Sequence, residues 1–600
     1  MADNLTLQRG PDLAPPARQA LLVLDEFLTH QTGRQPRRQA TLKGSHAIVI
    51  GEGSEQAAAG ALRQVRDDGY ALAPSGSGLL LVARNPKGLL NAAYGYLAHC
   101  GVLWPAPDEE ILPRPGKLVF PTELVLRNPA FPRRGIFHSQ PPAEFARWCE
   151  WYARLGFNEM SAHGGAEGWA GFCKVAERFG MTLEHGGHGL SSFVPRELFG
   201  EHPDYFRTLQ PPDFDRTRLS DSNICTGSPG AMKLVKANAK RWVRQLPGAR
   251  VYHLWADDLP AGGWCYCSRC MGLTPQDQAV LANNQLAEGV CEADPDAKVA
   301  AIWYHDTLET PLLVKPHEAL EPLFAPRERC YGHALDDPTC ARNAWHRQRL
   351  EKTLDYFGRR DWNLFEYYSD YILFRAMLPV MPEIVAQDLR YYKSQGLMAA
   401  QHLLVGTVVG LLLNLHVFAQ QTWDLDADPW EPLRKLAAGT PGLLKAWKLQ
   451  AKASARWLPI CDWPIERYFD YRFLIEVPPA AAAKYAKQTL RAAEELEQAE
   501  ALLPADLPAW AERERLAFAT SAGICRQMSA QITMLGELGR CSAGEKRGAE
   551  AKAAYREALR AAGPVGKAFQ KADMPEAYFF GLEKLLETIW KEKVTGAACK

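Results

Sequence analysis

The hydrophobic pattern of the chain starts with helical spacing and then changes period. Residues 17–30 carry apolar positions on one helical face and predict a first helix. Ala47–Ile50 and Leu79–Val82 are continuous apolar runs that predict short buried strands, with a helix over 55–67 between them. After Asn85 and Pro86, the positions Leu89, Leu90, Ala93, Tyr96 and Leu97 recur with a period of about 3.6 and predict an amphipathic helix. This α/β unit ends near Leu126.

From Phe131 to Leu413, strand-like segments alternate with helix-like ones. Strands are predicted over 134–137, 157–162, 181–184, 250–256, 298–303, 329–332, 363–366 and 397–401, and helices over 143–155, 233–245, 275–293 and 345–357. This alternation is the mark of a parallel sheet with crossover helices. Eight units favour a closed (β/α)8 TIM barrel over an open doubly wound sheet, which would carry a Gly-rich phosphate turn after its first strand. Beyond 414 the pattern is helical, over 480–503, 510–535, 545–562 and 576–593. The expected architecture is α/β: an N-terminal α/β domain over 1–128, a barrel over 129–425 and a C-terminal α-helical region over 426–600.

Composition narrows the partners. Lys plus Arg equals Asp plus Glu at 69 each, so nothing draws the chain to nucleic acid or to an anionic membrane. No apolar run reaches the roughly 18 residues of a membrane span. Residues 1–10 show neither a basic n-region nor an apolar stretch, and the 14 cysteines are mostly scattered, so a reducing, cytoplasmic setting is expected. Oligomeric state is left open. The 17 tryptophans suit a protein that stacks sugar rings.

Active sites of such barrels form where strands end. The predicted strand ends carry His138, His163, His185 with His188, Asp257 with Asp258, His305 with Asp306, His333, Glu366 with Tyr367, and His402. A ring of imidazoles and carboxylates suits the hydroxyl pattern of a glycan, each group donating or accepting. Glycoside cleavage needs an acid at the leaving oxygen and negative charge, or a substrate group, near the anomeric carbon. Asp258 is the expected acid/base, Asp257 its assistant, and Glu366, walled by aromatics, the second carboxylate. Trp255, Trp264 or Trp303 would stack a ring face. No cofactor is expected for catalysis. Cys265, Cys267 and Cys270 place three thiols in six residues, and with Cys225 as fourth ligand they would close a structural zinc site.

Several segments carry a family resemblance: Pro86–Leu90, Gly95-Tyr96, Val102–Pro105, His202–Phe206, Ile224-Cys225, Leu254–Asp258, Trp264–Cys270 and Glu366–Tyr368. Over about residues 40–425 the chain resembles domain-of-unknown-function family 4838. That group is related to family-20 hexosaminidases and family-67 α-glucuronidases, and part of it is classed as family-163 endo-β-N-acetylglucosaminidases. The resemblance implies the hexosaminidase-like N-terminal domain and the barrel. It also implies that Asp257 and Asp258 stand where family-20 enzymes carry an Asp-Glu pair, the Asp orienting the substrate acetamido group and the Glu acting as acid. The shorter Asp258 departs from that pattern. The expectation is a retaining glycosidase acting on a β-linked sugar such as an N-acetylhexosaminide, with substrate assistance open. The alternatives are an α-glucuronidase-like enzyme, a carbohydrate-binding protein on a degenerate barrel, and a metal-dependent hydrolase using the histidines.

Overall fold

The short apolar runs near the N-terminus pair into one sheet. Its six strands lie in the order Arg37–Gln39, Thr6–Gln8, Ala47–Ile50, Gly78–Ala83, Tyr70–Ser75 and Val125–Arg127. The runs are continuous because both faces are covered. Ile48, Ile50, Leu79 and Leu81 join the large core, while Val49, Leu80 and Val82 pack towards helix Glu55–Leu62. Helices Pro15–Thr32 and Pro86–His99 pack together, Phe27 meeting Tyr96 edge to face at 6.1 Å. The second begins where Asn85 Oδ1 accepts the Gly88 amide at 2.8 Å and proline fills its first position. The computed structural model describes residues 6–8, 13–39, 47–51, 55–107, 109–138, 142–162, 168–209, 217–259, 263–358, 362–371, 373–374, 377–405, 409–459, 479–571, 586–587 and 590–591.

The middle of the chain forms a closed parallel barrel of eight strands. They are β1 (Arg133–His138), β2 (Glu159–Ala162), β3 (Thr182–His188), β4 (Val251–Trp255), β5 (Lys298–Trp303), β6 (Leu320–Phe324), β7 (Asn363–Asp370) and β8 (Ala399–Val405). Around them run α1 (Pro142–Arg154), α2 (Trp169–Phe179), α3 (Pro229–Gln245), α4 (Pro275–Ala293), α5 (Ala341–Phe357), α6 (Pro382–Ser394) and α7 (Leu413–Trp423).

The sixth strand corrects the sequence expectation. It is Leu320–Phe324 and not 329–332. Its Glu321 and Pro322 read as loop, yet Glu321 points into the barrel, 2.6 Å from Arg133 and 3.1 Å from Arg250. Proline in a central strand forfeits a ladder bond. Here β7 pairs only from Leu323 onward, which leaves Pro322 at the margin of that ladder.

Alternate residues fill the barrel in layers. At the strand starts, Arg133 and Arg250 are interleaved with Glu159, Glu184 and Glu321. Above them His253 Nε2 lies 2.8 Å from Glu184. Next comes an aromatic layer: Phe137 stacks on Trp255 at 5.3 Å and meets Phe365 at 5.0 Å.

Helices Leu443–Trp457, Pro479–Ala501, Ala509–Ser542 and Gly548–Lys571 pack in succession beside the barrel. Buried Glu514 joins the two parts, accepting the Leu411 amide at 2.6 Å and the Trp447 indole N–H at 2.5 Å. The helix expected over 576–593 lies almost wholly outside the described residues. No helix among the described residues is long and apolar enough to cross a membrane.

Candidate active site

Strand alternation sorts the expected ring of histidines onto two faces. With Phe137 pointing inward, His138 points outward, its Nδ1 2.6 Å from the Tyr152 hydroxyl of α1. His185 likewise faces the helices, 4.9 Å from both Trp169 and Trp242. Trp303 is buried against Phe357 and Trp362, and His402 against Phe418. Trp264 is buried. His163 lies outside the described residues. His333 sits on the long β6–α5 loop, 3.2 Å from the Cys330 sulfur.

What converges above the aromatic layer is smaller. His188 ends β3 and packs against Trp255 and Tyr304 at 5.0 and 5.5 Å. Its Nδ1–H donates to the Ala256 carbonyl at 2.7 Å, so Nε2 carries the lone pair and lies 3.8 Å from Asp258 Oδ1. Burial lowers the His188 pKa, against the pull of Asp258, and keeps the ring neutral at neutral pH. His305 Nε2 approaches the same oxygen of Asp258 at 4.0 Å. His305 has φ of 51°, a left-handed conformation rare for a side-chain-bearing residue, held on the turn His305–Thr307 after β5. Asp306 follows it on the same turn, half-buried.

Two residues absent from the sequence expectation complete the mouth. Past β6, Arg327 donates to Asp370 at 3.0 Å and lies over the Tyr367 ring. Glu328 places Oε1 2.7 Å from His305 Nδ1, off the axis of a hydrogen bond, and neither carboxylate oxygen has a hydrogen-bond partner. The contrast with Asp258 is large: the Asp258 side chain is 61% exposed and that of Glu328 6%. Burial raises Tyr304 and Tyr367 well above the usual phenol range, so both stay protonated donors. The misplaced sixth strand hid Arg327 and Glu328. The signal for them is the charged triplet Arg327-Glu328-Arg329, set off by Pro326 from the apolar run Leu323-Phe324-Ala325.

Asp257 and Glu366 are occupied elsewhere. Asp257 accepts the Ser191 amide at 3.1 Å and the Asn223 amide at 2.7 Å, one on each oxygen, and its own N–H donates to Asn223 Oδ1 at 2.8 Å. It ties three loops together. Glu366 is fully buried on the outer face of β7, where it accepts Arg329 Nε at 3.1 Å and the hydroxyls of Tyr331 and Tyr392 at 3.1 and 2.5 Å. Arg329 in turn holds Asp388 of α6. The two carboxylates expected to converge, Asp258 and Glu366, thus sit on opposite sides of the barrel wall. A cavity of about 730 Å³ shares His188 and Trp255 with the mouth and runs past Gly186 and Gly187 to Trp242 of α3.

Beside the mouth, Cys225, Cys265, Cys267 and Cys270 converge, their sulfurs all within 4.8 Å of one another. Cys225 lies 3.6 Å from Cys267 and 3.9 Å from Cys270. The Gly227 amide donates to the Cys270 sulfur at 3.1 Å. Such a group can hold a metal ion.

A closed parallel barrel with carboxylates, imidazoles and phenols at the carboxyl ends of its strands defines the class: a TIM-barrel protein. The chain belongs to the family described as "Domain of unknown function (DUF4838)", whose model matches residues 104–418. Among solved structures, the chain is similar to a GH138 enzyme targeting pectin rhamnogalacturonan II, with TM-score 0.59 and 9% identity over 94% of this chain and 74% of that one. It is also similar to a family 89 glycoside hydrolase from Clostridium perfringens in complex with PUGNAc, with TM-score 0.50 and 12% identity over 84% of this chain and 62% of that one. A GH20 β-N-acetylhexosaminidase from Streptomyces coelicolor A3(2) matches with TM-score 0.47 and 13% identity over 76% of this chain and 92% of that one. Identities this low speak to the fold alone. No curated protein matches the sequence.

Proposed function

We propose that the chain is a glycoside hydrolase that cleaves a β-linked glycan at the barrel mouth, with Asp258 as proton donor and acceptor at the leaving oxygen. The observation that carries this reading is one imidazole between two unlike carboxylates. His305 lies 4.0 Å from solvent-exposed Asp258 and 2.7 Å from buried Glu328. The exposed acid can exchange protons with water. The buried one sits where charge is least screened and favours positive charge developing on the sugar or on His305. His188 accepts a hydrogen bond from a sugar hydroxyl at Nε2, Tyr304 and Tyr367 donate, and Trp255 forms the floor. An N-acetylhexosaminide is the first substrate to test, on the strength of the family resemblance. With both oxygens of Asp257 committed to backbone amides, its acetamido group would be oriented by Tyr304 or Tyr367.

The test is a panel of aryl β-glycosides, N-acetylhexosaminides, glucuronides and natural glycans, run with the parent protein and Asp258→Asn. Loss of a general acid lowers turnover about 100-fold or more. An unchanged rate removes Asp258 from the chemistry. Saturable glycan binding without turnover across the panel selects the binding-protein reading instead.

The cysteine cluster suits a structural zinc. Four thiolates at Zn–S distances of about 2.3 Å form a tetrahedron with edges of about 3.8 Å, and Cys225 meets two of its partners at 3.6 and 3.9 Å. Four sulfurs would fill the coordination shell, so the ion would brace the loop from Asp258 to Cys270 and take no part in the reaction.

A further inference from the structure

The β6–α5 loop carries a second group of soft ligands. We propose that Cys330, His333 and Cys340 form a metal site of their own, for a divalent cation of the zinc class, bracing the loop that presents Glu328. Their ligand atoms lie within 4.8 Å of one another, and Cys330 Sγ is 3.2 Å from His333 Nδ1. Sulfur and imidazole nitrogen on one tetrahedral zinc stand about 3.5 Å apart. A bare thiol–imidazole hydrogen bond accounts for that one contact. It does not account for a second sulfur from ten positions further along the chain turning to the same point.

The surroundings hold the three ligands in place. Cys330 and Cys340 are buried and His333 is half-buried, so an ion has a way in. Cys340 is the N-cap residue of α5, so its place is fixed by the start of that helix. Asn343, one turn into that helix, fixes the loop. It accepts the Cys330 amide at 2.8 Å and donates to the carbonyls of Cys330, His333 and Ala334 at 2.9, 3.0 and 2.9 Å. Backbone preset in this way lowers the ordering cost of binding. Two thiolates would neutralise the ion, each giving up its proton on binding. The three residues leave a fourth position for water or a further ligand. Cys330 follows Glu328 by two residues, so the ion would stiffen the stem on which that carboxylate stands.

Metal content decides the matter. The full chain is equilibrated with zinc under reducing conditions, desalted, and its zinc measured for the parent and for C340S and H333N. Each variant is expected to hold one ion fewer per chain than the parent, while C265S leaves this ion in place. Cobalt substitution should give the parent sulfur-to-cobalt absorption that C265S reduces and C265S with C340S abolishes. Should the variants misfold, alkylation of the parent answers instead: zinc is expected to shield Cys330 and Cys340 at least tenfold, read by peptide mass. Equal metal content in the parent and C340S, equal alkylation with and without zinc, or a Cys330–Cys340 disulfide that zinc does not prevent would each overturn the proposal.

Discussion

Glu366→Gln separates a carboxylate that builds the barrel from one that acts on substrate. Glu366 and Arg329 are both fully buried, and Arg329 is shared between Glu366 and Asp388. The substitution keeps shape but removes the charge, and its amide group faces donors from Arg329, Tyr331 and Tyr392. Removing one member of a buried ion pair costs about 3–5 kcal/mol, much of it from the charge left behind. At about 2 °C per kcal/mol for a large domain, the lower figure lowers Tm by roughly 6 °C. Arg329→Met in the same chain should deepen the loss, because it strands Asp388, the second buried carboxylate that Arg329 holds. Scanning calorimetry gives Tm for the parent, both single variants and the double, and turnover is measured well below the transition so that only folded protein contributes. Turnover within about threefold of the parent is expected. An unchanged Tm together with a loss of 100-fold or more in turnover would put Glu366 at the reacting atoms and refute the assignment of the mouth.

The remaining predictions concern the mouth and pH. Glu328→Gln and His305→Gln each lower turnover about tenfold or more, and the double variant loses less than the product of the two if they act as a unit; additive losses in log rate would show that the 2.7 Å contact has no role. Asp257→Ala strands two backbone amides and is expected to cost about 2 kcal/mol and raise KM, readable as a lower Tm with altered saturation; an unchanged Tm removes its role as a loop tie. Burial lowers His253, His346 and His402 from 6.5 to about 3 and His416 to about 4, so the stability of their neutral forms is lost as pH falls below 6.5. Burial also raises Glu159 from 4.5 to about 8 and Glu184 and Glu514 to about 7, and the stability of their protonated forms is lost as pH rises through 7–8. Tm should therefore be highest between about pH 4.5 and 6.5; a Tm that climbs steadily from there to about pH 9 would contradict the buried carboxyls.

The barrel was legible because its parallel strands, covered on both sides, write themselves as apolar runs separated by helical periods. Leu320–Phe324 was not, since Glu321 serves an ion cluster formed with residues distant in sequence and Pro322 is a strand breaker by local rules. That one shift put His333, in place of Arg327 and Glu328, at the predicted strand end. The imidazoles were misgrouped for a different reason. Position at a strand end is visible in the sequence, but facing depends on parity. In β1, Arg133 and Phe137 are two steps of two apart and share the inner face, which sends His138 outward to Tyr152. The same counting from Glu184 puts His188 inside and His185 outside. In β7 parity alone fails after Glu366, because the pairing with β8 shifts register between Glu366 and Ser369.

Two adjacent aspartates do different work: Asp257 is half-buried and tied to backbone amides, whereas the Asp258 side chain is 61% exposed. Asp257 meets the amides of Ser191 and Asn223 and fixes the height at which the chain leaves β4. Two residues beyond Asn223, Cys225 meets Cys267 and Cys270 on the far end of the same loop. The chain entering Asp258 is thus tied by Asp257, a residue bonded to backbone amides. A one-methylene side chain cannot search for its target, so its position must come from the backbone. His188 and His305 stand 3.8 and 4.0 Å from it, beyond direct hydrogen-bond distance. Lengthening the residue by Asp258→Glu would test whether that gap is needed: a side chain that closes on the two imidazoles should keep the fold and raise KM, whereas improved turnover would mean the shorter acid is not matched to this mouth.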